Sequence, residues 1–325
     1  MKESVLKNIL VNTRAFFTTN VKRRLNENLV RLDKLEDLVT NGQVMKYRSF
    51  YLHVLEYYTL HEAEARPYEK ELEYLRNLNE FCNFPYKPSD EPKKVECGFD
   101  KQAKLPFVIH KGRKLFFKHS YSVDEAIKFY RNYMQVEKIL GEGDEGEAPH
   151  QYQSPRVRVD DGDVVFDIGA AEGLFALDQI DKASRVVIVE SDPQWMEPLK
   201  HTFAPFGDKV TIVQKLISAT DTETTVSLEK LLSEIEYDAA FVKMDVEGYE
   251  LLSLVSAKTA LSQKNTKLAV AAYHKQHDAE ELKAFFDRLN YKSEFSNGYM
   301  LFHLYDTPAP PYFRKGVIRA KHTES

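Results

Sequence analysis

The sequence predicts an α/β protein built on a Rossmann-like, mostly parallel sheet with an antiparallel closing strand, preceded by a helical N-terminal region. Three observations carry that expectation. From Asp163 onward, five short apolar runs (164–166, 185–189, 210–213, 239–244 and 268–273) alternate with helical or longer connecting segments, as in a parallel sheet covered on both faces. Four of the five runs end at a residue with chemistry: Asp167, Glu190, Asp245 and His274. Runs 299–305 and 316–320 read as strands with no helix between them, which places an antiparallel edge beside the parallel strands. Crossovers should be right-handed.

Residues 1–80 read as helical. Leu25, Leu29, Leu32, Leu35, Leu38 and Val39 recur at three- and four-residue steps, as one buried helix face requires, and Asn41-Gly42 reads as a stop. The aromatic-rich stretch 50–60 forms a second helix, whose rings suit a helical core or the wall of an acceptor pocket equally. Pro67 opens a third over 68–81, with Leu72, Leu75 and Leu78 on one side. Pro85, Pro88 and Pro92 mark 84–96 as a linker or extended loop. Runs 105–109 and 114–117 flank Lys111-Gly112-Arg113, a β-hairpin pattern. Ser122 and Glu125 form a capping-box signature for a helix that carries Ala126, Ile127, Tyr130, Tyr133 and Met134 and ends near Gly141. The acidic, glycine-bearing 142–147 reads as a loop. The expected organisation is a helical region over 1–100, a hairpin-and-helix connecting segment over 101–149 and the sheet domain over 150–325.

Composition narrows the function. The 325 residues carry Lys+Arg 45 against Asp+Glu 50, a net charge of −5, so no nucleic-acid partner is expected from phosphate neutralisation. Two cysteines, Cys82 and Cys97, are too few for a disulfide scaffold or a cysteine zinc site, and a reducing, cytoplasmic setting is expected. No apolar run approaches the roughly 18–20 residues that cross a bilayer. Segment 4–26 lacks acidic residues and holds Lys7, Arg14, Lys22, Arg23 and Arg24. It reads as a solvated basic helix face, with a membrane-surface helix as the alternative. Ile9-Leu10-Val11 is too short for a signal-peptide core.

In an open parallel sheet, ligands bind outside the carboxyl ends of the strands. Asp167, Glu190 and Asp245 should therefore converge on one crevice. Gly169 and Gly173 lie four apart directly after the first strand. Gly169 permits a turn that approaches a ligand closely, and Gly173 lets the next helix pack tightly. Glu190, 23 residues beyond Asp167, is placed to accept two hydrogen bonds from a ribose diol. A dinucleotide site needs G-x-G-x-x-G so that backbone touches a pyrophosphate. Position 171 is alanine instead, and S-adenosylmethionine, which carries no phosphate and is cationic, suits this turn and its carboxylates. Each acid also has a purely structural reading: Asp167 as a cap of the turn, Glu190 as a solvated residue ahead of a helix, and Asp245, Glu247 and Glu250 as partners of a helix start.

Taken together, 164–173 (Val-Val-Phe-Asp-Ile-Gly-Ala-Ala-Glu-Gly), 187–190 (Val-Ile-Val-Glu) and 243–250 (Lys-Met-Asp-Val-Glu-Gly-Tyr-Glu) resemble the FkbM-type S-adenosylmethionine-dependent methyltransferases, the last string being the most specific. Pro149-His-Gln-Tyr152 and Ala272-Tyr-His274 look like further family features. The resemblance covers about 150–320, weakens toward 105 and does not reach 1–100. Lys215 departs from it, where a smaller polar residue near the adenine is expected. The resemblance implies a class I methyltransferase sheet and methyl transfer to a hydroxyl of a sugar or other small-molecule acceptor. On this reading Asp167, Gly169, Ala170, Gly173, Glu190, Ser191, Asp245 and Tyr152 bind S-adenosylmethionine. Asp245, Glu247 and His274 form the catalytic side toward the acceptor. His274 is the expected general base because an unperturbed imidazole titrates near 6.5. No metal is expected, since no paired-histidine motif is present. A non-catalytic binding or assembly module on the same fold and a nicotinamide-dependent oxidoreductase are the alternatives.

Overall fold

A computed structural model describes residues 42–77, 83–85, 94–141, 148–302 and 308–322. The basic segment 4–26, the Leu25–Val39 periodicity, Leu78, Pro88, Pro92 and the acidic loop 142–147 lie outside the described residues. Among those described, no helix is long and apolar enough to cross a membrane. The chain divides into two units, Met1–Cys82 and Asn83–Ser325.

In the first unit, α1 runs over Gly42–Leu60, α2 over Glu62–Ala65 and α3 over Glu69–Asn77. Gly42 opens a helix rather than standing as punctuation ahead of a start at 50, because no breaker separates it from the aromatic stretch. Pro67 lies in the tight Arg66–Tyr68 turn just ahead of α3, where its missing N–H costs nothing. Val54, Tyr58, Leu72 and Leu75 are buried, and the Tyr51 hydroxyl donates to the Leu75 carbonyl.

The second unit starts with a three-stranded antiparallel sheet, β1 (Cys97–Asp100), β2 (Leu105–His110) and β3 (Arg113–Phe116). The hairpin is as expected; β1 has no apolar run to announce it. α4 (Val123–Arg131) carries the capping box, with Ser122 Oγ accepting from Glu125 N–H and Glu125 returning to Ser122 N–H. It widens into a π-helical stretch, Asn132–Glu137, closed by Lys138 at φ +50. π-helical turns cluster at functional sites because they re-aim side chains. This one delivers Tyr133 and Glu137 toward the end of the main sheet.

That sheet holds β4 (Val164–Ile168), β5 (Arg185–Val189), β6 (Val210–Val213), β9 (Ala240–Met244), β10 (Thr266–Ala271), β11 (Tyr291–Phe295) and β14 (Val317–His322), in the order β11-β14-β10-β9-β4-β5-β6. Short pairs β7 (Leu216–Ser218) with β8 (Thr225–Ser227), and β12 (Met300–Leu301) with β13 (Phe313–Arg314), lie outside it. β14 is antiparallel to both β10 and β11. The antiparallel strand thus sits one place in from the edge, and β11, unread in the sequence because Tyr291–Phe295 mixes polar and aromatic residues, forms the edge. Of the expected strand at 299–305, the described residues 299–302 hold β12, and 303–305 lie outside the described residues.

Alternation sorts the strand residues into two cores. Val164, Phe166, Ile168, Val242 and Met244 pack under α7 (Leu228–Glu234), α8 (Glu250–Ser256), α9 (Lys258–Gln263) and α10 (Asp278–Arg288). Val165, Ile188 and Phe241 face α5 (Leu174–Gln179), α6 (Pro193–Phe203), α4 and the small sheet. β4 and β9 are buried along their whole length, as a sheet covered on both faces requires. The small sheet and α4 therefore share the second core with the main sheet.

Candidate functional site

The strand order reverses between β4 and β9, since β4 leads to β5 and β6 on one side and β9 to β10 on the other. Ligand crevices form outside the carboxyl ends of strands at such a reversal. A cavity of about 50 Å³ lies there. It is lined by the 169–172 turn after β4, by Lys243 and Asp245 of β9 and its end, and by Tyr133, His150 and Tyr152.

The turn after β4 is held from three sides. Gly169 stands at φ +72, and a Cβ on it would lie 1.8 Å from the Asp245 carbonyl oxygen, so no side chain fits. Its N–H donates to Val189 O (2.8 Å), and its carbonyl accepts from Lys243 Nζ (2.6 Å). Ala171, at φ +48, donates its N–H to Glu190 Oε2 (2.9 Å), while Glu190 Oε1 accepts from Asp192 N–H (2.7 Å). Each Glu190 oxygen therefore keeps a second lone-pair site for another donor. Gly173 adjoins Phe203 and Leu199, so the helix it admits closely is α6.

Asp167 lies one layer deeper. The β4–β9 register places it beside Lys243. Its Oδ1 is 3.2 Å from Lys243 Nζ, and its Oδ2 accepts from Ala176 N–H (3.1 Å) at the start of α5. It is fully buried and outside the cavity lining. Lys243 and Asp245, two apart and so on one face, both reach the cavity. Lys243 stays charged because the carboxylates of Asp167 and Asp245 outweigh its burial.

Asp245 collects donors. Tyr152 OH donates to Oδ2 (2.6 Å), Tyr273 OH lies 3.2 Å from both oxygens, His150 Nε2 lies 3.2 Å from Oδ2 and His274 Nε2 lies 3.3 Å from Oδ1. Burial favours the neutral acid, but the His150 hydrogen bond and the charges of His274, His150 and Lys243 overcome it, holding Asp245 well below the usual carboxylate range. On the other side of His150, Nδ1 meets Glu137 from the π-helical stretch. Burial alone would lower the His150 pKa, yet Glu137 and Asp245 raise it to about 9, so the ring is an imidazolium at neutral pH. The backbone around His150 is tied to the late strands. Pro149 O accepts from Ser296 Oγ (2.5 Å), Gly316 has no room for a Cβ against the same carbonyl, and Arg319 Nη1 donates to Gln153 O (2.9 Å).

His274 follows β10 and is 1% exposed. Its Nδ1 is 2.9 Å from Glu250 Oε1, and its Nε2 is 3.3 Å from Asp245 and 3.4 Å from Glu247. Burial opposes the charge, but Glu250, Asp245 and Glu247 together raise its pKa above 6.5. The premise of an unperturbed imidazole does not hold, since the three carboxylates around the ring favour its protonated form. A ring nitrogen of His274 and oxygens of Asp245 and Glu250 lie within 4.8 Å of one another, a donor set that could hold a metal ion. Glu247, at φ +57 with a mostly exposed side chain, stands at the rim. Ala170 and Tyr152 line the cavity; Ser191 is exposed beside Glu190. Lys215 turns its ammonium to Thr222 O (2.7 Å).

Sequence reasoning passed over four residues. Glu137 belongs to a helix that gave no sign of its π-helical end. Lys243 was read only as part of a string, and Tyr273 only as a neighbour of His274. Glu172 stood inside the glycine turn itself, where a third acid beside Asp167 and Glu190 was a visible signal. It is 2% exposed, and burial pushes its carboxyl up to about 8, against weaker opposition from backbone N–H groups and Lys243.

No protein-family model matches the chain, and no curated protein matches it. Among solved structures, it is similar to the methyltransferase FkbM of Methylobacillus flagellatus, at 22% identity and a TM-score of 0.41 over 52% of this chain and 46% of that one. The chain thus spans about half the length of that protein. It is also similar to an S-adenosylmethionine-dependent O-methyltransferase of Thermotoga maritima (16% identity, TM-score 0.35, 52% of this chain and 63% of that one). A third likeness is to an rRNA methylase of Streptococcus thermophilus (12% identity, TM-score 0.33, 51% and 90%).

Proposed function

We propose that the chain binds S-adenosylmethionine at the β4–β9 reversal and transfers its methyl group to a hydroxyl of a small-molecule acceptor, as an FkbM-type methyltransferase. The observation that carries this is the cavity at the carboxyl ends of β4 and β9, walled by a glycine turn and the carboxyl groups of Glu172 and Asp245. When bound, S-adenosylmethionine supplies a methyl group already activated by a sulfonium.

The residues fit that group. Gly169 leaves backbone open where a side chain would intrude. Glu190 offers the unused lone-pair sites of its two oxygens to a ribose diol. Glu172 has a buried oxygen, Oε2, with no hydrogen-bond partner, which a cationic ligand satisfies. The cavity, about 50 Å³, is far smaller than the ~300–1,000 Å³ typical of drug-sized ligands. It takes the small charged end of the cofactor, while Glu190 lies outside its lining to meet the ribose. A pyrophosphate is disfavoured by Ala171, whose methyl group stands where a dinucleotide turn has glycine.

On the acceptor side, Asp245 stays ionised and orients a hydroxyl by accepting its hydrogen bond. His274 and Glu247 adjoin it. Because the surrounding carboxylates raise the His274 pKa, the ring takes the hydroxyl's proton more readily as the pH rises. Tyr152 fixes Asp245 and closes the cofactor side.

A thermal-shift and calorimetry panel with S-adenosylmethionine, S-adenosylhomocysteine and NAD tests the reading. Stabilisation by the first two and not by NAD is expected, and Glu190→Ala should weaken their binding about tenfold, the worth of a pair of hydrogen bonds. Stabilisation by NAD alone makes the protein an oxidoreductase; stabilisation by none makes it a binding module.

A further inference from the structure

The cavity holds two carboxyl groups in opposite states. Asp245 is supplied with donors by Tyr152, Tyr273, His150 and His274. Glu172 is not. Among the described residues that line the cavity, its Oε2 is the buried side-chain oxygen without a hydrogen-bond partner. The groups that face it are few. Lys243 from β9 acts on it as a cation, but its ammonium is already committed to Gly169 O and Asp167. Asp167 from β4 adds a like charge, and Tyr133 from the π-helical stretch lies within electrostatic reach. Its own N–H and that of Leu174 give backbone support. His150 shares the cavity, but its charge is taken up by Glu137 and Asp245.

A carboxyl in such a position has two stable conditions: it carries a proton, or it faces a cation. Resting on the cofactor reading above, we propose that Glu172 is the cation-recognising carboxyl of this site, protonated while the cavity holds no cation and ionised when a ligand's ammonium or sulfonium enters. The proton balance is simple. The Glu172 O–H bond breaks, its proton leaves to solvent, and the carboxylate pairs with the incoming positive charge. Net charge in the cavity is conserved, which avoids placing an uncompensated ion in a buried space. The carboxyl's displacement to about 8 agrees with this resting state. The cavity's size agrees too, because about 50 Å³ admits the charged end of an amino-acid-bearing nucleoside and not its base.

The sign of the pH dependence follows. Below about 8 a cationic ligand must displace the Glu172 proton, so affinity rises with pH, approaching tenfold per unit. Calorimetry in buffers of different protonation enthalpy, between pH 6.0 and 7.5, reads this directly. That window lies below the titration of a ligand α-amino group. S-adenosylmethionine should release close to one proton per site. Methylthioadenosine, which lacks both cations, should bind without release and without pH dependence. S-adenosylhomocysteine separates the sources: release with it assigns the ammonium, and release with S-adenosylmethionine alone assigns the sulfonium. Glu172→Gln keeps the neutral shape and so the fold. It should abolish proton release and flatten the profile.

Binding of S-adenosylmethionine without proton release, or release that survives in Glu172→Gln, overturns this proposal and leaves the cofactor reading standing. Failure of all three nucleosides to bind overturns both. Carbon NMR of the free protein gives a ligand-independent check, because a Glu172 carboxyl titrating near the ordinary 4.5 overturns it as well.

Discussion

The turns after β4 and β9 begin from nearly the same material and do different work. Each follows a fully buried apolar strand, each has an aspartate at or next to the strand's last residue, and each has a glycine at positive φ. Asp167 lies inside β4, beside Lys243, and bonds to the start of α5 under the turn. Asp245 lies one residue past β9 and meets Tyr152, His150, Tyr273 and His274 around the cavity. Two residues of depth separate a carboxylate buried in the fold from one that faces the cavity. A strand-end acid is therefore assigned by where the strand stops, which pattern alone fixes only to within a residue or two.

The largest expected effect tests that contrast. Asp167→Asn breaks a fully buried pair and should cost about 3–5 kcal/mol in urea unfolding, because it strands the Lys243 charge. Cofactor affinity of the folded protein should change little. Asp245→Asn should instead lower turnover about a hundredfold by misplacing the acceptor. If Asp167→Asn abolishes cofactor binding at unchanged stability, the inner and outer roles are exchanged.

The next effect sharpens the description of the outer group. His150 has a folded-state pKa of about 9 against an ordinary 6.5. Its contribution is fully present below 6.5 and is lost as the pH climbs through 9. Unfolding at pH 7 and 9.5 should differ by on the order of 2 kcal/mol, with the alkaline form weaker. His150→Gln should remove that slope. A stability that rises with pH over this range would mean that the ring is neutral in the folded protein.

The smallest effect concerns Ala171, which takes φ +48 without being glycine. Ala171→Gly relieves a left-handed strain of about 1–2 kcal/mol but loosens the unfolded chain by about 0.4–1. A net gain below about 1 kcal/mol in thermal unfolding is expected. A loss would show that the methyl group packs usefully on its neighbours.

The parallel strands were legible because each is a contiguous apolar run, and four of them end within three positions of Asp167, Glu190, Asp245 or His274. β11 was not, because its Tyr-Lys-Ser-Glu-Phe reads as surface until β14 is known to lie beside it. The position of β14, one in from the edge, depends on pairing at long range and leaves no local mark. At the site, Gly169 announced itself through its spacing. Glu137 and His150 form an ion pair across a helix whose widened turn no residue signals. His274 was placed at the right strand end, but its protonation depends on Glu250, Asp245 and Glu247 arriving from another turn.

The tether of Pro149 to Ser296 and Gly316 has a consequence for the order of assembly. The segment bearing His150 and Tyr152 is fastened to strands made roughly 150 residues later in translation. During synthesis the glycine turn and both carboxylate-bearing strands are complete while that segment still lacks its fastening. The pocket's ceiling is thus set by the closing strand, so a nascent chain halted before Gly316 would carry the floor of the site without its cover.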